Sequence, residues 1–220
     1  MLCFYKTIDN VIKRIDTFSE GCWINVVSPT PEEIAYLTEE LSLDRSFVSA
    51  ALDEEESSRV EVEDDQTLII IDTPIAVTEA DNTLVYTTMP LGIIVTKSSV
   101  VTICLNQITA VEDVAQGVVR NVQTAMKTRF LLMLLLRVAQ SFLFRLKHIN
   151  KLTSQMESEL HRSMQNKKLV QMTGLQKSLV YFSTSLKANE ITLEKIYRGR
   201  VIKLYEEDQD LLEDVLIEFR

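Results

Sequence analysis

Apolar residues recur along this chain in two rhythms, and the change from one to the other falls near residue 125. Before it, short apolar runs stand between polar stretches. Leu2 to Tyr5 and Cys22 to Val27 have the length and makeup of strands. Leu68 to Ile71 and Leu91 to Thr96 repeat the signal, and the polar stretch Thr78 to Thr83 between them, with Asp81-Asn82 as its corner, predicts a hairpin. A further strand ends at Cys104. Between the early strands, Ser28-Pro29-Thr30-Pro31-Glu32-Glu33 supplies a hydroxyl cap, a first-turn proline and acids at the positive end of a helix dipole. It predicts a helix from Pro31 to Leu41, and a second, short one follows from Asp44 with Phe47, Val48 and Leu52 on one side.

After the last strand the rhythm turns helical. Ile108, Val111, Val114, Val118 and Val122 predict a helix over Ile108 to Arg129. Leu131, Leu135, Val138, Phe142, Leu146, Ile149, Leu152, Met156 and Leu160 then form one long stripe. Met172, Leu175, Leu179, Phe182, Leu186, Asn189, Leu193 and Ile196 form another, in alternating steps of three and four. Such regularity predicts an antiparallel helical hairpin of coiled-coil type, turning around Ser163 to Lys168, with Asn189 fixing its register. Gly199 marks the end of the second helix. A third begins near Asp208 and shows no stop signal at Arg220, which predicts that it continues as a stalk. The fold class is therefore α/β, a mixed sheet flanked by helices over 1–125, followed over 126–220 by the long hairpin and the start of the stalk.

The most apolar run, Phe130 to Leu136, ends at Arg137. A membrane-spanning helix needs about 20 apolar residues, so this one is expected to be buried in protein.

Charge changes the picture at one place. Asp53, Glu54, Glu55, Glu56, Glu61, Glu63, Asp64 and Asp65 face a single Arg59, in a chain whose net charge is -9. A solvated helix end and edge strand would account for the run, but so acidic a protein also attracts cations. The pI of about 4.9 excludes a nucleic-acid surface, which needs a basic face. Cys3, Cys22 and Cys104 lack CxxC spacing and read as reduced thiols of a cytosolic compartment. Lys6, Asp9, Lys13 and Arg14 interrupt any signal peptide.

Nothing in the sequence carries catalysis. His148 and His161 lie thirteen residues apart without HExxH, and His161 with Glu157 reads as an exposed helix pair. GxSxG, P-loop and GxGxxG motifs are absent, so the chain is not expected to be an enzyme.

The order of the pieces carries more than any one of them. Trp23 to Val26, then Pro29, Pro31, Glu32 and Glu33, then the acidic run and its apolar strand, then Pro90 to Cys104 and long charged helices, resembles the cytoplasmic domain of the CorA-type magnesium transporters. The resemblance implies a homopentameric funnel at the cytoplasmic face of the cell membrane, a transported and regulatory Mg2+, with Co2+ as a further cargo, and no nucleic-acid partner. It also implies a pore of two membrane helices with Gly-Met-Asn after the first, for which there is no counterpart before Arg220. In that family an acidic residue of the hairpin loop helps to form a cation site between subunits. Its position falls here on Ala80, flanked by Glu79 and Asp81, so these two are the candidate metal ligands, with the partner carboxylate expected beyond Arg220. Alone, the fragment is expected to be monomeric or weakly associated. A zinc transporter of the same superfamily and a soluble helical scaffold without transport are the alternatives.

Overall fold

The computed structural model describes residues 1–78, 83–160, 166–199 and 201–220. At the centre of the molecule lies one seven-stranded sheet. Its strands are β1 (Leu2–Ile8), β2 (Val11–Ile15), β3 (Trp23–Val27), β4 (Arg59–Glu63), β5 (Gln66–Thr78), β6 (Leu84–Val95) and β7 (Val100–Cys104). They lie in the order β2-β1-β3-β7-β6-β5-β4, and every neighbouring pair is antiparallel except β3 with β7. The helices are α1 (Pro31–Ala35, prolonged by a π-helical turn over Tyr36–Glu40), α2 (Arg45–Ala50), α3 (Thr109–Ala115), α4 (Lys127–Leu160), α5 (Asn166–Gly199) and α6 (Glu206–Phe219).

The central strands are apolar without alternation because both faces of the sheet are covered. Leu68 and Ile70 join Ile24, Val101 and Ile103 beneath α1 and α2. Ile69 and Ile71 join Trp23, Leu91 and Ile93 in a larger core with residues of α3, α4, α5 and α6. Phe142 of α4 knits that core, with ring centroids 5.1 Å from Phe182 of α5 and 6.4 Å from Phe219 of α6.

Local chemistry fixes the helix starts. Thr30 Oγ1 accepts from Glu33 N at 3.3 Å while Thr30 N donates to Glu33 Oε2 at 3.0 Å, a reciprocal cap on α1. Asp44 Oδ1 accepts from Ser46 N at 2.7 Å and caps α2. This helix lies so close to the sheet that a Cβ on Gly92 would stand 2.3 Å from Ala51 Cβ.

Two sequence expectations need correction, and one strand was not expected. The helix predicted over Ile108 to Arg129 ends at Ala115, because Gly117 and Asn121 take positive φ of 72° and 59° and turn the chain out of helical geometry. Val118, read as part of its apolar face, is exposed. The two long helices do form an antiparallel hairpin, but the buried seam of α5 is not the regular stripe. Leu179 is exposed, whereas Ser178 and Ser185, outside the stripe, are buried and reach the sheet, and Asn189, expected to fix the register of the hairpin, is buried but bonds β5. Strand β2, with Lys13 and Arg14 in its five residues, gave no apolar signal because it is an exposed edge. Of the turn predicted around Ser163 to Lys168, residues 163–165 lie outside the described residues, and 166–168 already belong to α5.

Candidate functional site

Strands β5 and β6 are longer than their neighbours need. Pairing with β4 covers only Gln66 to Ile70, and pairing with β7 covers only Gly92 to Val95. Past those points Ile71 to Thr78 and Leu84 to Leu91 project as a two-stranded arm. The candidate ligands Glu79 and Asp81 fall between its strands in sequence and lie outside the described residues, as does His161; the flanking strands end at Thr78 and resume at Leu84.

The arm presents backbone groups that no strand pairs, and the long helices take them. Asp72 and Pro90 face each other as a non-hydrogen-bonded pair, so the Asp72 amide and carbonyl point away from β6, to the edge that β4 has left. Asn189 of α5 closes that edge like a piece of strand. Its Oδ1 accepts from Asp72 N at 2.9 Å and its Nδ2 donates to Asp72 O at 2.9 Å, while Ser58 Oγ donates to the same Oδ1 at 2.8 Å. Two residues on, Pro74 O accepts from Arg145 Nε of α4 at 3.2 Å. On β6, Tyr86 N donates to Ser178 Oγ at 2.8 Å, and Thr88 Oγ1 bonds Ser185 Oγ at 2.8 Å. Close approach is possible because α5 carries Gly174 here; a Cβ would stand 2.6 Å from Thr83 Cγ2.

Titratable groups line this clamp. Burial pushes the Asp72 carboxyl up, opposed by its bond to Ser185. Burial likewise raises the Tyr86 phenol, with the Arg145 cation working against it, and lowers the Arg145 guanidinium, with Tyr86 opposing. Arg145 lies 5.9 Å from the Tyr86 ring centroid, and the Tyr86 hydroxyl bonds His148 Nδ1. His148 is therefore a partner in the clamp.

The acidic run is solvated and partly paired: Arg59 bridges Glu56 and Glu61, and Asp65 pairs with Lys97. Among the described residues no group of three or more His, Cys, Asp or Glu could hold a metal, and no helix is long and apolar enough to cross a membrane. Gly174, Ser178 and Ser185, which seat α5 on the arm, were missed by sequence reasoning. Small residues at steps of four and seven on one helix face were the available signal.

Residues 18–220 match the model of the family described as CorA-like Mg2+ transporter protein. The chain belongs to this family. A relative, the cobalt/magnesium transport protein CorA of Methanocaldococcus jannaschii, is 29% identical over 202 residues, 88% of this CorA-family chain and 60% of the relative. The chain thus spans about 60% of the length of the curated relative it matches. The complete structure of the CorA magnesium transporter from the same organism superposes with a TM-score of 0.85 at 25% identity, over 100% of this chain and 69% of that one. The cytoplasmic domain of ZntB from Vibrio parahaemolyticus shares the fold, with a TM-score of 0.66 at 10% identity over 99% of this chain and 89% of that one.

Proposed function

We propose that this chain is the cytoplasmic regulatory domain of a CorA-type divalent-cation transporter, sensing internal Mg2+ at faces between subunits of a homopentamer. The observation that carries this reading is the arm. Its strands are clamped from behind by Asn189, Ser178, Ser185 and Arg145, so that any change at the end of the arm, between whose strands Glu79 and Asp81 fall in sequence, would be passed to α4 and α5. Both are hard oxygen donors, which suit Mg2+. Neither His nor Cys occurs in residues 77–83, which weighs against zinc as the sensed ion.

The physical basis is charge. Carboxylates brought near one another across a subunit boundary repel by about 1 kcal/mol at 4 Å in water and about 4 kcal/mol in the effective medium of a protein surface. A bound Mg2+ supplies the neutralising charge. Falling internal Mg2+ empties the sites, loosens the ring and shifts the population toward conducting states. Co2+ shares the transported role in this reading. Limited trypsin digestion tests it: Mg2+ should slow cleavage of the wild-type protein, and E79Q/D81N should weaken that protection. Protection equal to that of the wild type removes these two residues from the site.

A further inference from the structure

Away from the arm, the end of the sheet, the start of α4 and the segment joining α5 to α6 enclose a cavity of about 770 Å³, the size of a small-molecule site. Its walls are tied together. Thr67 Oγ1 donates to Val201 O at 3.3 Å, and Thr128 Oγ1 donates to Lys203 O at 2.8 Å, which pins the joining segment to β5 and to α4. Val95, Met126, Ile202 and Tyr205 give the lining an apolar part.

Its charged side chains are mostly committed. Lys97 pairs with Asp65, Lys127 donates its ammonium to the carbonyls of Thr96 and Lys97, and Lys203 lies over the Tyr205 ring at 5.0 Å. Glu206 and Glu207, also in the lining, are exposed to solvent, which leaves two opposite charges that are sheltered and unmatched. Asp208 is only 4% exposed and lines the cavity, and its side chain has no hydrogen-bond or ion-pair partner among the described residues. Arg129 is half-buried and lines the same cavity, and its side chain has none either. No ion pair joins them. Among the described residues no fully buried side-chain oxygen lacks a partner, so the Asp208 carboxylate is open to the cavity, where water or a ligand can meet it. The first-turn amides of α4, from Lys127 to Arg129, add donors that helical bonding leaves free.

We propose that this cavity binds a small zwitterion of the α-amino-acid class. Its ammonium meets Asp208, its carboxylate meets Arg129 and the start of α4, and its side chain lies among Val95, Met126 and Ile202. A simple cation would leave Arg129 unmatched, and a simple anion would leave Asp208 so. Because the ligand would touch α4 and the first turn of α6 together, its occupancy would set how firmly those two helices are held.

The experiment is a thermal-shift screen of the chain against the protein amino acids, followed by calorimetric titration of any that raise the melting temperature. At least one should bind, and its decarboxylated amine and its deaminated acid should each bind roughly tenfold weaker or worse, about 1.4 kcal/mol per lost contact. D208N and R129Q should each weaken the zwitterion by a similar factor, with R129Q, at the more exposed edge, serving if D208N does not fold. Absence of any binding amino acid overturns the proposal, and so does an amine or an acid that binds as tightly as its parent zwitterion. Unchanged affinity in R129Q overturns it as well.

Discussion

The clamp on the arm is open to direct test at Asn189. Replacing it with alanine removes three hydrogen bonds, two to the Asp72 backbone and one to Ser58. At about 1 kcal/mol net for each, the loss is about 3 kcal/mol. Water recovers part of what Asp72 loses, since that residue is only half-buried, but the small void left at a fully buried position adds to the cost. Against a usual total of about 5–15 kcal/mol this is large, and for a chain of this size it lowers the melting temperature by roughly 6–12 °C. N189D sharpens the test. It keeps the acceptor but sets a carboxylate against the Asp72 carbonyl, so it should destabilise at neutral pH. Folding then raises the pKa of the new group, and its stability deficit should shrink as pH falls from neutral toward about 4, as the carboxyl of the folded protein takes up a proton and can donate. Urea unfolding of the wild type, N189A and N189D across that pH range is the assay. A cost for N189A below about 1 kcal/mol, or a pH-independent deficit for N189D, would refute the clamp.

Three further outcomes follow from the same geometry. G92A should cost about 1–3 kcal/mol in urea unfolding, because the new methyl meets both Ala51 Cβ at 2.3 Å and its Cα at 3.0 Å and no rotamer can relieve a backbone contact. Burial pushes the Cys104 thiol up to about 12 from 9.0, and all three cysteines are buried, so a thiol reagent at mildly alkaline pH should label the native protein only as fast as it unfolds. D72N should stabilise the protein at neutral pH, since the raised pKa of Asp72 means that its ionised form favours the unfolded chain; the gain over wild type should vanish as pH falls through 3.8.

Much of the fold was legible because its strongest signals are local. The cap at Thr30, the apolar strands around Ile70 and Ile93 and the two long helices are each fixed by residues near in sequence. The errors arose where a distant partner decides. Val118 and Val122 keep helical spacing after Val114, but positive φ at Gly117 and Asn121 breaks the helix that the spacing suggested. The stripe of α5 looked like a coiled-coil seam because Leu175, Phe182, Leu193 and Ile196 are indeed buried. The buried serines beside it could not be read, because Ser178 and Ser185 owe their burial to a β-arm some 90 residues upstream, opposite Tyr86 and Thr88. The unpaired Asp208 and Arg129 were invisible for the same reason: only the folded chain puts the starts of α4 and α6 around one cavity.

The central claim, that Glu79 and Asp81 make this domain responsive to magnesium, is tested most directly by transport. Vesicles carrying the full gene product should be loaded with a series of internal Mg2+ concentrations, and uptake of external Mg2+ measured in the wild type and in E79Q/D81N. The account predicts that flux falls as internal Mg2+ rises, and that the double variant moves this inhibition to higher Mg2+ by roughly 5–150-fold, the reach of a coupling of about 1–3 kcal/mol. Inhibition curves that coincide, or flux indifferent to internal Mg2+, would contradict it.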